Sequence, residues 1–240
     1  MKKLFLATIL MWGGYVSAQA PGYDDLRILF ADGNYDKLIK SASSYTEKDK
    51  TKADALPYMW LGRGLYKMSQ SGNSEEKYKN AYKDAIGAIG KCMKQDKSGD
   101  VQREYAEFFE EFKKSLVETI GNELSAPDFK KAAGWVTKYY KLDANSIGAK
   151  YLEGACKFRG GDKGGANTIW KDAEKKLSAL SSIEEMGEAD KQLLKMGILQ
   201  TAECYVSTRQ TDKAKALLGK VAQWFEGDEE FKEKYDAIVN

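Results

Sequence analysis

A few groups of residues in this chain have types and spacings that could do chemistry. Gly160-Gly161-Asp162-Lys163-Gly164-Gly165 leads into a helical pattern, as a phosphate-binding loop would. It lacks the Gly-Lys-Ser/Thr ending and a preceding strand. It therefore reads as a tight inter-helix turn, in which glycine supplies backbone freedom. Asp100, Glu107, Glu110 and Glu111 form an acidic face on one helical stretch. Paired carboxylates can do acid–base work, but these stand among Lys and Arg as a solvated face does. Lys130, Lys131, Lys138 and Lys141 accompany Trp135, Tyr139 and Tyr140. Such a mixture can contact nucleic acid or sugar, yet it reads better as core aromatics with surface lysines. Cys92, Cys156 and Cys204 show no Cys-x-x-Cys spacing, which argues against a structural zinc. The chain contains no His, so no His base, Ser-His-Asp triad, Cys-His pair or His metal ligand can form. The expectation is no catalytic residue, no cofactor and no metal.

These groups must be positioned by a chain of 240 residues with 38 Lys and Arg against 36 Asp and Glu. Met1-Lys2-Lys3, the apolar run Leu4 to Trp12 and the small residues Val16-Ser17-Ala18 follow the order of a secretory signal peptide. Residues 1–18 are expected to be removed, leaving a short linker at 19–22 and one domain over 23–240. Loss of Lys2 and Lys3 brings the two charge counts level, which gives no argument for nucleic acid as a partner. The apolar run is shorter than the roughly 20 residues a spanning helix needs, and no later stretch reads as transmembrane. No Cys stands near the cleavage site to carry a lipid. The expected location is periplasmic or secreted. There the odd number of cysteines leaves at least one unpaired in a monomer. Buried free thiols are the default reading, with a Cys156–Cys204 bridge as the alternative.

Only three prolines, and apolar residues at steps of three and four, predict an all-α chain. Helices are expected near 23–31, 35–46, 52–69, 74–95, 101–122, 128–141, 146–159, 163–180, 187–208, 211–225 and 228–238. No run alternates with period two, so no sheet is expected. The acids after Ser74 and the proline at Pro127 are both helix-start signals. On 101–122 the apolar face is Tyr105, Phe108, Phe109, Phe112, Leu116 and Ile120.

The pattern repeats. Ala132 and Ala166 are 34 residues apart, and each opens an apolar second helix. Ala166, Trp170 and Ala173 match Ala132, Val136 and Tyr139 in spacing. Gly154 and Ala202 each stand 12 residues before Ala166 and Ala214. Tyr58-Met59-Trp60-Leu61-Gly62-Arg63-Gly64-Leu65 resembles the first-helix signature of tetratricopeptide repeats (TPR), with Leu65 where Tyr is expected. Gly33-Asn34-Tyr35-Asp36-Lys37-Leu38 and Gly161-Asp162 through Ala173 are similar to the family's turn and second helix. Leu142-Asp143-Ala144-Asn145 is similar to its repeat ending, with Ala in place of Pro. The resemblance covers about residues 23–225. It implies a right-handed α-solenoid of about five helical pairs plus a C-terminal capping helix near 228–238. The interval from Ala166 to Ala214 is 48 residues, so one unit departs from the period.

What the resemblance implies about function is binding. First helices in that family line a concave groove that holds peptides or partner helices. The matching positions are Met59, Arg63, Tyr66 and Lys67, and then Tyr151, Phe158 and Arg159. The family's carboxylate-clamping Asn is absent from the matching places Trp60, Glu118, Leu152 and Gln200. The leading expectation is an exported scaffold or adaptor with protein partners, assembling a cell-envelope complex of the secretion, gliding or outer-membrane kind. The alternatives are a periplasmic peptide- or glycan-binding module and, further off, a carboxylate-based glycan-active enzyme. The sequence leaves the oligomeric state open.

Overall fold

A computed structural model describes residues 22–72, 75–126 and 128–240. The leader expected at 1–18 and the helix-start role of Pro127 lie outside these residues. Among the described residues there is no strand, and the fold is all-α. The helices are α1 (Asp24–Ala31), α2 (Tyr35–Glu47), α3 (Ala55–Gln70), α4 (Ala81–Gln95), α5 (Asp100–Glu104) and α6 (Ala106–Ser125). They continue as α7 (Phe129–Tyr139), α8 (Ile147–Arg159), α9 (Lys163–Leu177), α10 (Glu188–Ser207), α11 (Thr211–Val221) and α12 (Glu229–Val239).

The same turn joins three of the pairs. Gly33, Gly161 and Arg209 follow α1, α8 and α10 with positive φ of 68°, 94° and 62°. In each case the next residue's N–H reaches back to a carbonyl five positions earlier. Asn34 finds Leu29, Asp162 finds Lys157 and Gln210 finds Tyr205, each at 2.9 Å. The carbonyls left open at a helix end are satisfied in this way, and the chain reverses within three residues. Asn34 and Asp162 then cap the following helix, each accepting a backbone N–H, from Lys37 and Gly165 respectively.

Small residues set how closely the helices approach. A Cβ placed on Gly62 would fall 2.4 Å from Ile89 on α4, and one on Gly148 would fall 2.4 Å from the Leu194 nitrogen on α10. A Cβ on Gly197 of α10 would likewise fall 2.5 Å from the Gly148 carbonyl oxygen. Ala132, Ala166, Ala202 and Ala214 are fully buried, as their spacing predicts. Around these contacts two apolar clusters form. One runs from α1 to α7 and onto α8 and α10; the other fills α8 to α12 and ends on Phe231 of α12.

Some elements differ from the sequence reading. The helix expected from Ser74 begins at Ala81, after a single tight turn at Glu76–Tyr78. Buried Tyr78 holds that turn by donating to Asp36 of α2 at 2.6 Å. The helix expected over 101–122 is divided at Tyr105, whose backbone leaves the helical region. Its ring packs against Trp60, with centroids 5.6 Å apart. Packing is not limited to neighbours either, because α6 lies against α10. Glu110 accepts the Ala189 N–H at 2.6 Å, while Asp190 accepts from Lys113 at 2.7 Å and from the Tyr139 hydroxyl at 2.5 Å. Lys113 and Asp190 are both largely covered. A strictly one-dimensional stack would have no such contact.

Candidate functional site

The seven residues matched to a binding groove divide into two groups. Met59 and Tyr66 on α3, and Tyr151 and Phe158 on α8, are all core. Tyr66 stands edge-on to Phe112 of α6 at 5.0 Å, and Phe158 packs on Trp170 of α9 at 5.5 Å. Their aromatic surface is spent between helices, so these four do not line a groove. The charged three keep access to solvent. Lys67 pairs with Glu111 at 3.4 Å, and Arg159 pairs with Glu203 at 2.9 Å while lying 4.7 Å over the Phe129 ring.

Arg63 is different. Its guanidinium carbon lies 4.2 Å from the Phe30 ring centre, 5.2 Å from Phe108, 5.3 Å from Trp60 and 5.9 Å from Tyr105. The box is built by the end of α1, by α3, by Tyr105 at the break between α5 and α6, and by Phe108 in α6. Nε is fully buried with no acceptor. Among the described residues, Arg63 forms no ion pair or hydrogen bond. Burial lowers its pKa, opposed by the nearby Tyr105, Glu111 and Tyr35. The residue is only partly covered, so its terminal nitrogens are what solvent can reach.

A cleft with a volume of about 1080 Å³ lies elsewhere. Its floor is Tyr58, Leu61 and Leu65 of α3. One wall is Ile39, Ser43 and Thr46 of α2, and the other is the α4 face bearing Lys83, Gly87, Lys91 and Lys94. The α7–α8 loop closes one end with Lys141. Sequence reasoning assigned only Lys141 to a basic patch. The signal for the rest was present in the steps of four and three between Lys83, Gly87, Lys91 and Lys94.

The acids singled out in the sequence do not converge. Glu110 is engaged on α10, Glu111 on Lys67, and Asp100 on Arg103 at 2.5 Å. In the basic stretch, Lys138 lies 4.6 Å over Trp135, and Tyr140 donates to Glu153 at 2.9 Å. The three thiols are free and buried, so the Cys156–Cys204 alternative is not formed. Burial pushes Cys92 and Cys156 up to about 12, far from a reactive thiolate. Among the described residues, no group of acids and thiols is placed to hold a metal ion, and no helix is long and apolar enough to cross a membrane. No protein-family model, curated protein or solved structure matches the chain.

Proposed function

We propose that the chain is a protein-interaction scaffold of TPR-like, right-handed solenoid type, exported to the periplasm or beyond, which takes hold of a partner's carboxylate through Arg63. The observation that carries this reading is the Arg63 box. Desolvating a charge costs several kcal/mol when no counter-ion is supplied, and a buried donor without an acceptor adds about 1–3 kcal/mol. Contacts with ring faces return about 0.5–2 kcal/mol each at best. The box thus holds a cation with no acceptor in contact, the nearby Glu111 being engaged on Lys67. A carboxylate arriving at the terminal nitrogens completes it with short, charge-assisted bonds, strengthened by the apolar surroundings.

Binding is favoured over catalysis because Glu110 and Asp190 already serve backbone, Lys and Tyr donors of the fold. A glycan platform needs exposed aromatic faces, whereas Trp170 is buried and donates its indole N–H to the Tyr151 carbonyl. A cell-envelope partner follows from the leader expected at 1–18.

Arg63→Met keeps an apolar stem in the box and removes the charge. In a pull-down from the native envelope, wild type should retain partners that the variant loses, with the helical signal unchanged. Identical partners from both proteins would remove Arg63 from the interface. Intact mass of the exported protein tests the leader, since a product that retains Met1 contradicts export.

A further inference from the structure

The cleft between α2 and α4 belongs to a different face from the Arg63 box and shares no residue with it. Both helices pack on α3 and scarcely touch one another, which leaves a trough with an apolar floor. We infer that this trough is a second binding site, and that its occupant is an acidic amphipathic helix of a partner protein.

The first argument is charge. Lys83, Lys91, Lys94 and Lys141 line the cleft, against Asp84 and Asp143. None of the four lysines forms an ion pair with a described residue; Lys91 only rests 5.5 Å over the Tyr58 ring. Asp143 is already occupied by the Asn145 N–H at 2.8 Å. The positive rim is felt nearby, because Lys138 is held below its usual pKa by burial and then by Lys83 and Lys141. Elsewhere Lys77, Lys150 and Lys220 each find an acid of the same chain. The unpaired rim selects acids on the incoming segment.

The second argument is shape. Ile39, Ser43 and Thr46 on one wall, and Lys83, Gly87, Lys91 and Lys94 on the other, each follow helical steps of four and three. Two helical walls over an apolar floor offer the groove into which an amphipathic helix lays its apolar face. Gly87 fits this use. Glycine is unfavourable inside a helix, and a Cβ placed here would meet nothing within 4 Å. No described neighbour requires its smallness. An incoming helix would, since its surface can then approach the α4 backbone closely. Gly90, one turn on, is used within the chain: a Cβ there would fall 2.8 Å from that of Lys141, so its absence lets Lys141 close the end of the trough.

The inference rests on the proposed function only in being a protein-binding reading, and the test separates the two sites. The probe is a displayed library of random peptides of about 15 residues, enough for roughly four helical turns. Selection on wild-type protein should enrich peptides of net negative charge with apolar residues at helical spacing. Gly87→Trp fills the trough from a position with open space and should weaken these peptides at least about tenfold. Gly87→Ala, which leaves the trough open, should keep binding within about threefold of wild type. Lys83→Glu with Lys94→Glu changes only exposed side chains and should weaken binding similarly, and should do so even if Gly87→Trp misfolds. Arg63→Met should leave these peptides bound; a pool that depends on Arg63 and ignores Gly87 reports on the other site. A neutral or basic pool, no pool, or a pool indifferent to both sets of cleft variants overturns the inference. So does a change in the protein's own oligomeric state with Gly87→Trp, which would make a second copy of the chain the occupant.

Discussion

Trp170 lies across Gly154 so closely that a Cβ on the glycine would fall 2.2 Å from the indole Nε1. The same nitrogen donates to the Tyr151 carbonyl at 3.0 Å. The ring is therefore held by a hydrogen bond at its edge and by contact with α8 across its face.

That relationship makes Gly154 a strict position in the α8–α9 pair. Gly154→Ala must push a buried indole away and strain or break its hydrogen bond. We expect a loss of about 1–3 kcal/mol despite alanine's better helix propensity. Gly154→Trp should prevent native packing of α8 to α12. Urea denaturation followed by Trp fluorescence measures the first, and near-ultraviolet circular dichroism the second. A neutral Gly154→Ala would show that the helices can part at no cost.

Much of this fold was legible in the sequence, for a local reason. Steps of three and four mark helices wherever one face is buried, and Gly33, Gly161 and Asp162 mark turns because a left-handed residue followed by a cap is a short-range requirement. The break at Tyr105 was not legible. Phe108, Phe109, Phe112, Leu116 and Ile120 continue the period, and only the docking of Tyr105 on Trp60, far back in the chain, divides the helix. The contact of α6 with α10 is likewise invisible locally, since Lys113 and Asp190 are 77 residues apart. The groove residues failed for a related reason. Met59, Tyr66, Tyr151 and Phe158 sit at positions that a regular solenoid leaves open, and here neighbouring helices cover them. Arg63 was among the residues the sequence singled out. Its box was not legible, because Phe30, Tyr105 and Phe108 reach it only through the fold.

Arg209 offers a stabilising change. It occupies the turn position that Gly33 and Gly161 fill elsewhere, with φ of 62°. A left-handed backbone costs a non-glycine residue about 1–2 kcal/mol, and the greater freedom of glycine in the unfolded chain takes back about 0.4–1 kcal/mol. The Arg209 side chain is exposed, so its removal gives up little. Arg209→Gly should therefore gain about 0.5–1 kcal/mol, or about 1–4 °C in Tm. A calorimetric scan showing no gain would mean that this turn relaxes differently from its two counterparts.

Acid should act at the cap of α9. Asp162 accepts the Gly165 N–H at 2.8 Å, and Gly165 has no Cβ to crowd that carboxylate. This backbone hydrogen bond, opposed by some desolvation and aided by Lys157, lowers the pKa of Asp162 from its ordinary 3.8. The folded chain thus binds the proton less readily than the unfolded chain. The contribution to stability is complete above the unfolded value of 3.8 and is lost as pH falls through the lower folded value. Asp162→Asn keeps an oxygen that can cap the helix but cannot titrate. Other carboxylates are common to both proteins and cancel in the comparison. Whichever protein is the more stable near neutral pH, wild type should lose ground to the variant once pH drops below about 4, and not before. Paired urea titrations across that range measure the difference directly. A gap that stays constant into strong acid would show that the cap bond does not distinguish the charged carboxylate from the neutral amide.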